Sequence, residues 1–570
     1  LMKNQKNQKV RNFQKDNNLI SPTTNTVFLD IEADGLNPTK VHCVVTKRSN
    51  EAHLTHLSRR SLMDELAKGG QICGHNLIGY DLPVLYRLWG IRIPQHRVVD
   101  TLVLSRLFHP DLDGGHSLAA WGTRLGFPKG EHTDWEELSE EMVEYCKRDV
   151  DVTHKLHDAL MAQMQMFGFS KHCVDLEHSV AFICKDQEDN GFEFDRDGAV
   201  ELYEELTTRM HRIEKDLQQV FPPIVEERIS DKTQKRLKDK VTVFNVGSRQ
   251  QIAERLTSKG AVWKELTPSG QPKVDESTLK KQTDIPEAKI ILRYLLCQKR
   301  ASHVDSWIKA VGEDSRIHGR VRHIGAVTGR MAHSSPNLAQ IPSVRAEYGK
   351  QCRELFTVPE GHVLVGADAS GLELRMLAHY MDDADYTNEI LTGDIHTANQ
   401  KAAGLATRDQ AKTFIYAFLY GAGNTKIGEV VGRGYDCGLS LKRDFLDNTP
   451  ALADLRKSVL KDAESGSLVG LDGRRLTVRS AHAALNTLLQ GAGAIVMKQA
   501  IVILYDLLDN VNFRLVAQVH DEWQIECKPE DADFIGKSCV NAMVFAGEVL
   551  QLNCPLDGEY RVGNSWADTH

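Results

Sequence analysis

The 570-residue sequence has no run approaching the ~18 consecutive apolar residues of a membrane-crossing helix, although 41% of its residues are hydrophobic. A bilayer-spanning role is therefore not expected. No CxxC pair occurs, and the eleven cysteines are scattered and odd in number, which excludes a zinc ribbon or a disulfide framework and fits a reducing cytoplasm. Basic residues are not in excess either: a formal net charge of -8 rules out a surface coated evenly in lysine and arginine, yet leaves room for a positive groove. Internal repeats and low-complexity tracts are absent. The first 25 residues (1–25) are polar and basic without an apolar core, so they do not read as a secretory signal and are expected to form a flexible tail.

What is present is an ordinary globular composition, with 26% charged residues and a length that suggests about four packed units at ~150 residues each. From Val27 to about Met166 a β-rich opening gives way to alternating strands and helices, an α/β pattern. From about Val174 to Phe221 apolar residues recur at helical spacing between charges, which predicts long amphipathic helices forming an extended arm. Pro222 and Pro223 stop that pattern, and the stretch from Arg228 to Lys240 holds six basic and two acidic residues. It reads equally well as a solvated loop or as a nucleic-acid contact. Past Gly361, a strand (HVLVGAD), helices from Asp394 to about Ser465 and a strand pair around VAQVHDEWQIEC predict a mixed sheet with a helical insertion.

In VFLDIEAD, Asp30 and Glu32 stand two apart on a predicted strand, so both carboxylates project from one face. Alone such a pair is usually just solvated. HNLIGYD adds Asn76, Tyr80 and Asp81, and YCKRD sets Tyr145 and Asp149 at i and i+4 on one helix face. Four acids and a tyrosine suit phosphodiester hydrolysis, which needs neutralised phosphoryl charge and an oriented water, as two carboxylate-held Mg²⁺ ions provide.

Further on, HVLVGADASGLELR reads as a strand delivering Asp368, followed by Ser370 and Gly371 opening a helix that holds Glu373 and Arg375. Standing alone, Asp368 would be an ordinary helix cap. FRLVAQVHDEWQIEC places His520, Asp521 and Glu522 where two strands meet, which alone would be an ordinary polar turn. Between them Arg408, Lys412, Tyr416 and Tyr420 recur every four residues, drifting about 40° per step around a helix. That stripe of two cations and two aromatics suits a triphosphate, a sugar and a base.

The N-terminal segments resemble the DEDD family of 3′→5′ exonucleases, in the subclass with a tyrosine in its third motif. The resemblance implies a ribonuclease H-like domain in which Asp30, Glu32, Asp81 and Asp149 bind metal and Tyr145 positions the nucleophile. The C-terminal segments resemble motifs A, B and C of DNA polymerase I type enzymes, family A, and the wording DASGLELR resembles its short bacteriophage replicative branch. An α/β multidomain architecture follows, a right hand of thumb, palm and fingers attached to the exonuclease. Implied boundaries are 26–172 for the exonuclease, 173–345 for thumb and palm entry, 346–390 and 476–570 for the palm, and 391–475 for the fingers.

By the same resemblance, Asp368, Asp521 and the Ala369 carbonyl bind two Mg²⁺ ions per active site, with Mn²⁺ as a substitute, and Glu522 joins the catalytic acids. Arg408, Lys412 and His396 contact the triphosphate of a dNTP, Tyr420 stacks near the templating base, and Glu373 is a steric gate against a ribose 2′-hydroxyl. Tyr416 goes with acceptance of dideoxynucleotides. Arg330, Gln490 and His520 meet primer-template DNA at the primer end. Replisome partners such as a helicase–primase and a single-strand-binding protein are implied, as is the cytoplasm of a bacterial host. The short Phe221–Val246 region argues against host thioredoxin, which the long thumb loop of well-known phage relatives recruits, and no 5′-nuclease domain is expected before Val27. The competing readings are a single-subunit RNA polymerase, disfavoured by Glu373 and the exonuclease motifs, and a non-catalytic binding protein, disfavoured by the complete set of acids.

Overall fold

The computed structural model describes residues 25–229, 232 and 234–570. The expected tail falls almost wholly outside the described residues, as do three positions of the basic stretch.

A five-stranded mixed sheet organises the N-terminal unit: β1 (Thr26–Ala33), β2 (Val41–Arg48), β3 (Leu54–His56), β4 (Gln71–Gly74) and β5 (Val98–Asp100), in the order β3-β2-β1-β4-β5. β1 runs antiparallel to β2 and parallel to β4. As the middle strand it is covered on both faces, so its residues are buried except for Asp30, which is half-buried. Helix α1 (Asp81–Trp89) follows β4, and α2 (Glu140–Met166) starts at Ser139, whose hydroxyl accepts from the Met142 N–H. α2 lays its apolar side on β1 and β2.

Helix α3 (Lys171–Asn190) departs from the expected arm. Instead of projecting, it packs against the C-terminal core through Leu176, Val180, Ile183 and Cys184 and against the N-terminal unit through Cys173, Ala181 and Phe182. The arm is built by α4 (Arg196–Val220) with α5 (Pro286–Ala310), pinned by the Tyr294 hydroxyl donating to Glu214 at 2.7 Å. At its tip, the two ends of the basic stretch lie in strands: β6 (Ile224–Ile229) and β7 (Arg236–Thr242) pair as an antiparallel hairpin. Cross-strand pairs Lys240–Glu226 (3.0 Å) and Arg236–Glu227 (3.1 Å) fasten it.

The C-terminal half centres on a four-stranded antiparallel sheet. Strand β8 (Val363–Ala369) leads into α6 (Leu372–Met381); then come α7 (Ile395–Ala403) and α8 (Arg408–Leu419) within a helical insertion. Helix α9 (Ala484–Leu507) returns the chain to β9 (Phe513–Val519), β10 (Glu522–Cys527), α10 (Ala532–Val549) and β11 (Gly558–Gly563). The order is β9-β10-β8-β11. α9 is apolar enough, with a mean hydropathy of 1.6, to meet the length and composition of a membrane span, which the lack of an unbroken apolar run had hidden. It is buried between α3, α6 and α10 as the central core helix.

Candidate active sites

Motif by motif, the C-terminal site assembles on the sheet. Asp368 lies opposite Glu522 across β8 and β10, and the Ala369 N–H donates to the Asp521 carbonyl at 3.0 Å, which ties the strand end to the turn. His520 and Asp521 form a two-residue turn between β9 and β10, with His520 in the left-handed region at φ 58°. Asp368 is not a helix cap: the N-cap of α6 is Gly371, at φ 60° and with no side chain to offer. Burial, with Asp521 and Glu522 adding repulsion, pushes the Asp368 carboxyl up to about 7, and burial also raises Asp521. Two buried carboxylates held close together repel unless a proton or a cation offsets their charge.

Asp368, Ala369, Glu373, Tyr416, Tyr420, Arg330, His520 and Asp521 line one cavity of about 320 Å³, with Lys498 and Gln518 beneath. Glu373 is held on two sides. The Tyr420 hydroxyl donates to both carboxylate oxygens at 3.0 and 2.9 Å, and the Arg330 guanidinium donates at 3.1 Å. Thr407 begins α8 with a reciprocal capping box to Gln410. Tyr420 sits at the C-cap of α8 rather than inside it, and its ring lies 6.4 Å from that of Tyr416.

The remaining expected groups stand outside that cavity. Arg408 is exposed and engaged by Asp394, at 2.6 and 3.1 Å, while Asp394 also caps α7 through the His396 N–H. Lys412 is exposed and has no ion pair among the described residues. The half-buried His396 ring lies 6.4 Å from Tyr416, and its Nδ1 is buried without a partner. Burial together with Arg408 and Lys412 lowers its pKa. Gln490, half-buried on α9, is not part of the cavity wall. Glu522, expected among the catalytic acids, is held by protein groups: its carboxylate takes hydrogen bonds from Trp566 and Gln524 and lies 3.7 Å from Arg353 and 3.4 Å from His570. Burial pushes this group up, but those partners outweigh it and hold it below the usual range. Trp566 and Gln524 both bond its Oε1, while its Oε2 lies nearest His570.

In the N-terminal unit, Asp30 and Glu32 on β1, Asp81 at the start of α1 and Asp149 on α2 converge. Ligand atoms of Asp30, Glu32 and Cys146 lie within 4.8 Å of one another. Burial, with Asp149 adding repulsion, raises Asp30 to about 7. Glu32, Asp81 and Asp149 shift the same way, burial being the largest cause in each. Asp149 Oδ1 is buried without a partner, and Asp149 Oδ2 meets Lys129 Nζ at 2.5 Å. Buried carboxylates with unsatisfied oxygens suit a hard divalent cation. Asn76 stands at φ 63° in the turn before α1, and its N–H donates to Asp100. The Tyr80 hydroxyl donates to the Gly35 carbonyl at 2.6 Å.

Residues 216–568 match a family model described as DNA polymerase family A. The chain is a family A DNA polymerase. This family A chain is 36% identical to the DNA-directed DNA polymerase of Escherichia phage T7 over an alignment 704 positions long, covering 95% of itself and 100% of that relative. It is 27% identical to DNA polymerase I of Aquifex aeolicus, covering 87% of itself and 88% of that protein. In fold, the family A chain matches the POL domain of Pol1 from M. smegmatis, in complex with DNA primer-template and dNTP, at a TM-score of 0.81 and 20% identity, over 99% of this chain and 98% of the other.

Two groups of residues escaped the sequence reading. Glu177 on α3, buried completely, accepts from Lys498 at 2.6 Å, from Arg474 and, on its other oxygen, from His323 at 2.9 Å, while Arg474 also grips Asp472. The signal for it was a lone lysine in an otherwise apolar helix, which must find a buried counter-ion. Lys129 beside Asp149 carried no signal, since it comes from a loop between helices.

Proposed function

We propose that this chain extends a DNA primer along a template from deoxynucleoside triphosphates, and that its N-terminal unit removes 3′-terminal nucleotides. The observation that carries the first half is the cavity in which Asp368 and Asp521 face the Glu373–Tyr420–Arg330 cluster and the aromatic end of α8. Mg²⁺ held by Asp368, Asp521 and the Ala369 carbonyl, or Mn²⁺ in its place, would supply charge neutralisation and a more acidic primer 3′-hydroxyl. The chain's own groups do the rest. Arg408, Lys412 and His396 present cationic and hydrogen-bonding groups to a triphosphate along α7 and α8, which requires Arg408 to leave Asp394. Tyr416 and Tyr420 offer ring faces to sugar and base, and the Glu373 carboxylate, fixed by Tyr420 and Arg330, fills the space a 2′-hydroxyl would take. Arg330, Gln490 and His520 face the primer terminus.

Asp30, Glu32, Asp81 and Asp149 fit a metal centre for hydrolysis, with Tyr145 orienting the water. Residues 26–172 would be the exonuclease, the α4–α5 arm the thumb, the β8–β11 sheet the palm and the helical insertion the fingers. Partners that follow are primer-template DNA, dNTPs, a helicase–primase and a single-strand-binding protein, in the cytoplasm of a bacterial host. The compact β6–β7 hairpin at the thumb tip argues against thioredoxin.

One labelled primer-template tests both halves. Asp521→Ala should abolish extension and keep degradation of single strands, and Asp30→Ala should do the reverse. Loss of both activities in either folded variant would refute two separate sites. Preference for ribonucleotides and primer-free starts would instead favour an RNA polymerase.

A further inference from the structure

The loop between residues 125 and 139 contributes none of the nuclease acids, yet it reaches into their centre. Its Lys129 places one ammonium 2.5 Å from Asp149 Oδ2 and 4.6 Å from the centre of the Tyr145 ring, so that it bridges two residues one turn apart on α2. Asp149 is left with its other oxygen, Oδ1, buried and unpartnered. The same loop clamps the ring. Trp135 meets Tyr145 edge-on at 5.6 Å and His132 lies 5.8 Å away. At Gly130 even a Cβ would come within 3.3 Å of the ring.

The loop is itself anchored. Arg148, next to Asp149, donates from Nε to the Pro128 carbonyl at 2.9 Å, and its guanidinium lies 3.3 Å over Phe127. His42 on β2 lies within hydrogen-bonding distance of the Trp135 carbonyl, at 3.0 Å. Lysine has a reach and a charge to satisfy one carboxylate oxygen while leaving the other for a metal, and a group beyond the ligands that fixes a ligand's orientation is commonly as important to the site as a ligand.

We propose that Lys129 is a positioning residue of the nuclease centre, holding Asp149 for metal binding and the Tyr145 ring for orienting water. This rests on the exonuclease reading given above. To isolate the N-terminal centre, Mn²⁺ binding is followed by electron spin resonance in an Asp368→Ala, Asp521→Ala background, and single-strand degradation is followed in the otherwise unaltered chain. Lys129→Met should weaken Mn²⁺ binding about tenfold or more and slow degradation about 10- to 100-fold at saturating DNA. Lys129→Arg should restore both to within a few-fold. Primer extension by the chain carrying only the Lys129 substitution should be unaffected and reports that it folds. Affinity for single-stranded DNA in EDTA should stay within about twofold, since Lys129 acts on Asp149 and Tyr145 rather than on DNA.

Wild-type Mn²⁺ affinity and rate in Lys129→Met would overturn the proposal, and so would a large loss of DNA affinity in EDTA. Asp30→Ala separates the two levels. If it abolishes degradation while Lys129→Met changes nothing, only the role of Lys129 fails; if degradation survives Asp30→Ala, the nuclease reading itself fails.

Discussion

Side chains in both centres are arranged so that a carboxylate cannot ionise comfortably alone. For Asp368, the native pKa of about 7 lies above its ordinary 3.8, so between those values the folded protein holds a proton that the unfolded chain has released. Folding stability from this group is therefore lost as pH rises from about 4 to 7. In EDTA, Asp368→Asn should melt above wild type by a margin that widens from pH 5 to pH 8, and Mg²⁺ should narrow it by stabilising the wild type; a margin independent of pH would contradict the burial argument. Glu373 offers a second test at this scale. A hydrogen bond to a charged group contributes about 1.5–3 kcal/mol, so Tyr420→Phe should loosen the carboxylate and lower the preference for deoxy- over ribonucleotides about tenfold. The ratio of kcat/KM for the two substrates measures it, and an unchanged ratio would mean that Arg330 alone places Glu373.

Single elements show how local rules and tertiary contacts divide the work. The β9–β10 turn and the capping box of α8 follow from short-range chemistry, and the turn was readable from its own residues. Helix α3 was not: its amphipathic spacing is compatible with an arm, and only its tertiary contacts, Glu177 with Lys498 on one side and His178 with the Asp100 N–H on the other, show that it bridges two halves of the molecule. Removing one member of a buried ion pair strands the other at about 3–5 kcal/mol. Glu177→Gln should therefore lower the calorimetric melting temperature by several degrees, while adding Lys498→Met should recover part of the loss. No recovery would mean that Lys498 is satisfied by groups other than Glu177. The same logic explains α9, whose glycines permit close packing: a Cβ at Gly491 would lie 2.5 Å from the Leu476 side chain.

At the scale of the whole molecule, a net charge of -8 coexists with a basic, largely exposed hairpin at the tip of the arm. Lys235 and Lys238 are exposed there and have no ion pair among the described residues. If the arm closes on duplex DNA, every phosphate that a lysine ceases to neutralise takes about 0.9 off the slope of log affinity against log salt. Lys235→Glu with Lys238→Glu should therefore weaken primer-template binding and flatten that slope by about 2. An unaltered slope would return the hairpin to the role of a solvated tip.

The sequence by itself determined the order of the motifs and the placing of acids at strand ends, because strand alternation, helical spacing and turn chemistry act over a few residues, and the wording of those motifs carried the resemblance to the family. Asp368, Asp521, Asp30 and Glu32 were legible for that reason. Tertiary structure alone decided which groups were already engaged: Glu522 by Trp566 and Arg353, Arg408 by Asp394, Glu177 by Lys498, and Asp149 by Lys129. Those partners lie from 14 to 321 residues apart in the chain, and a burial that removes water while supplying a counter-charge leaves no periodic trace in the sequence.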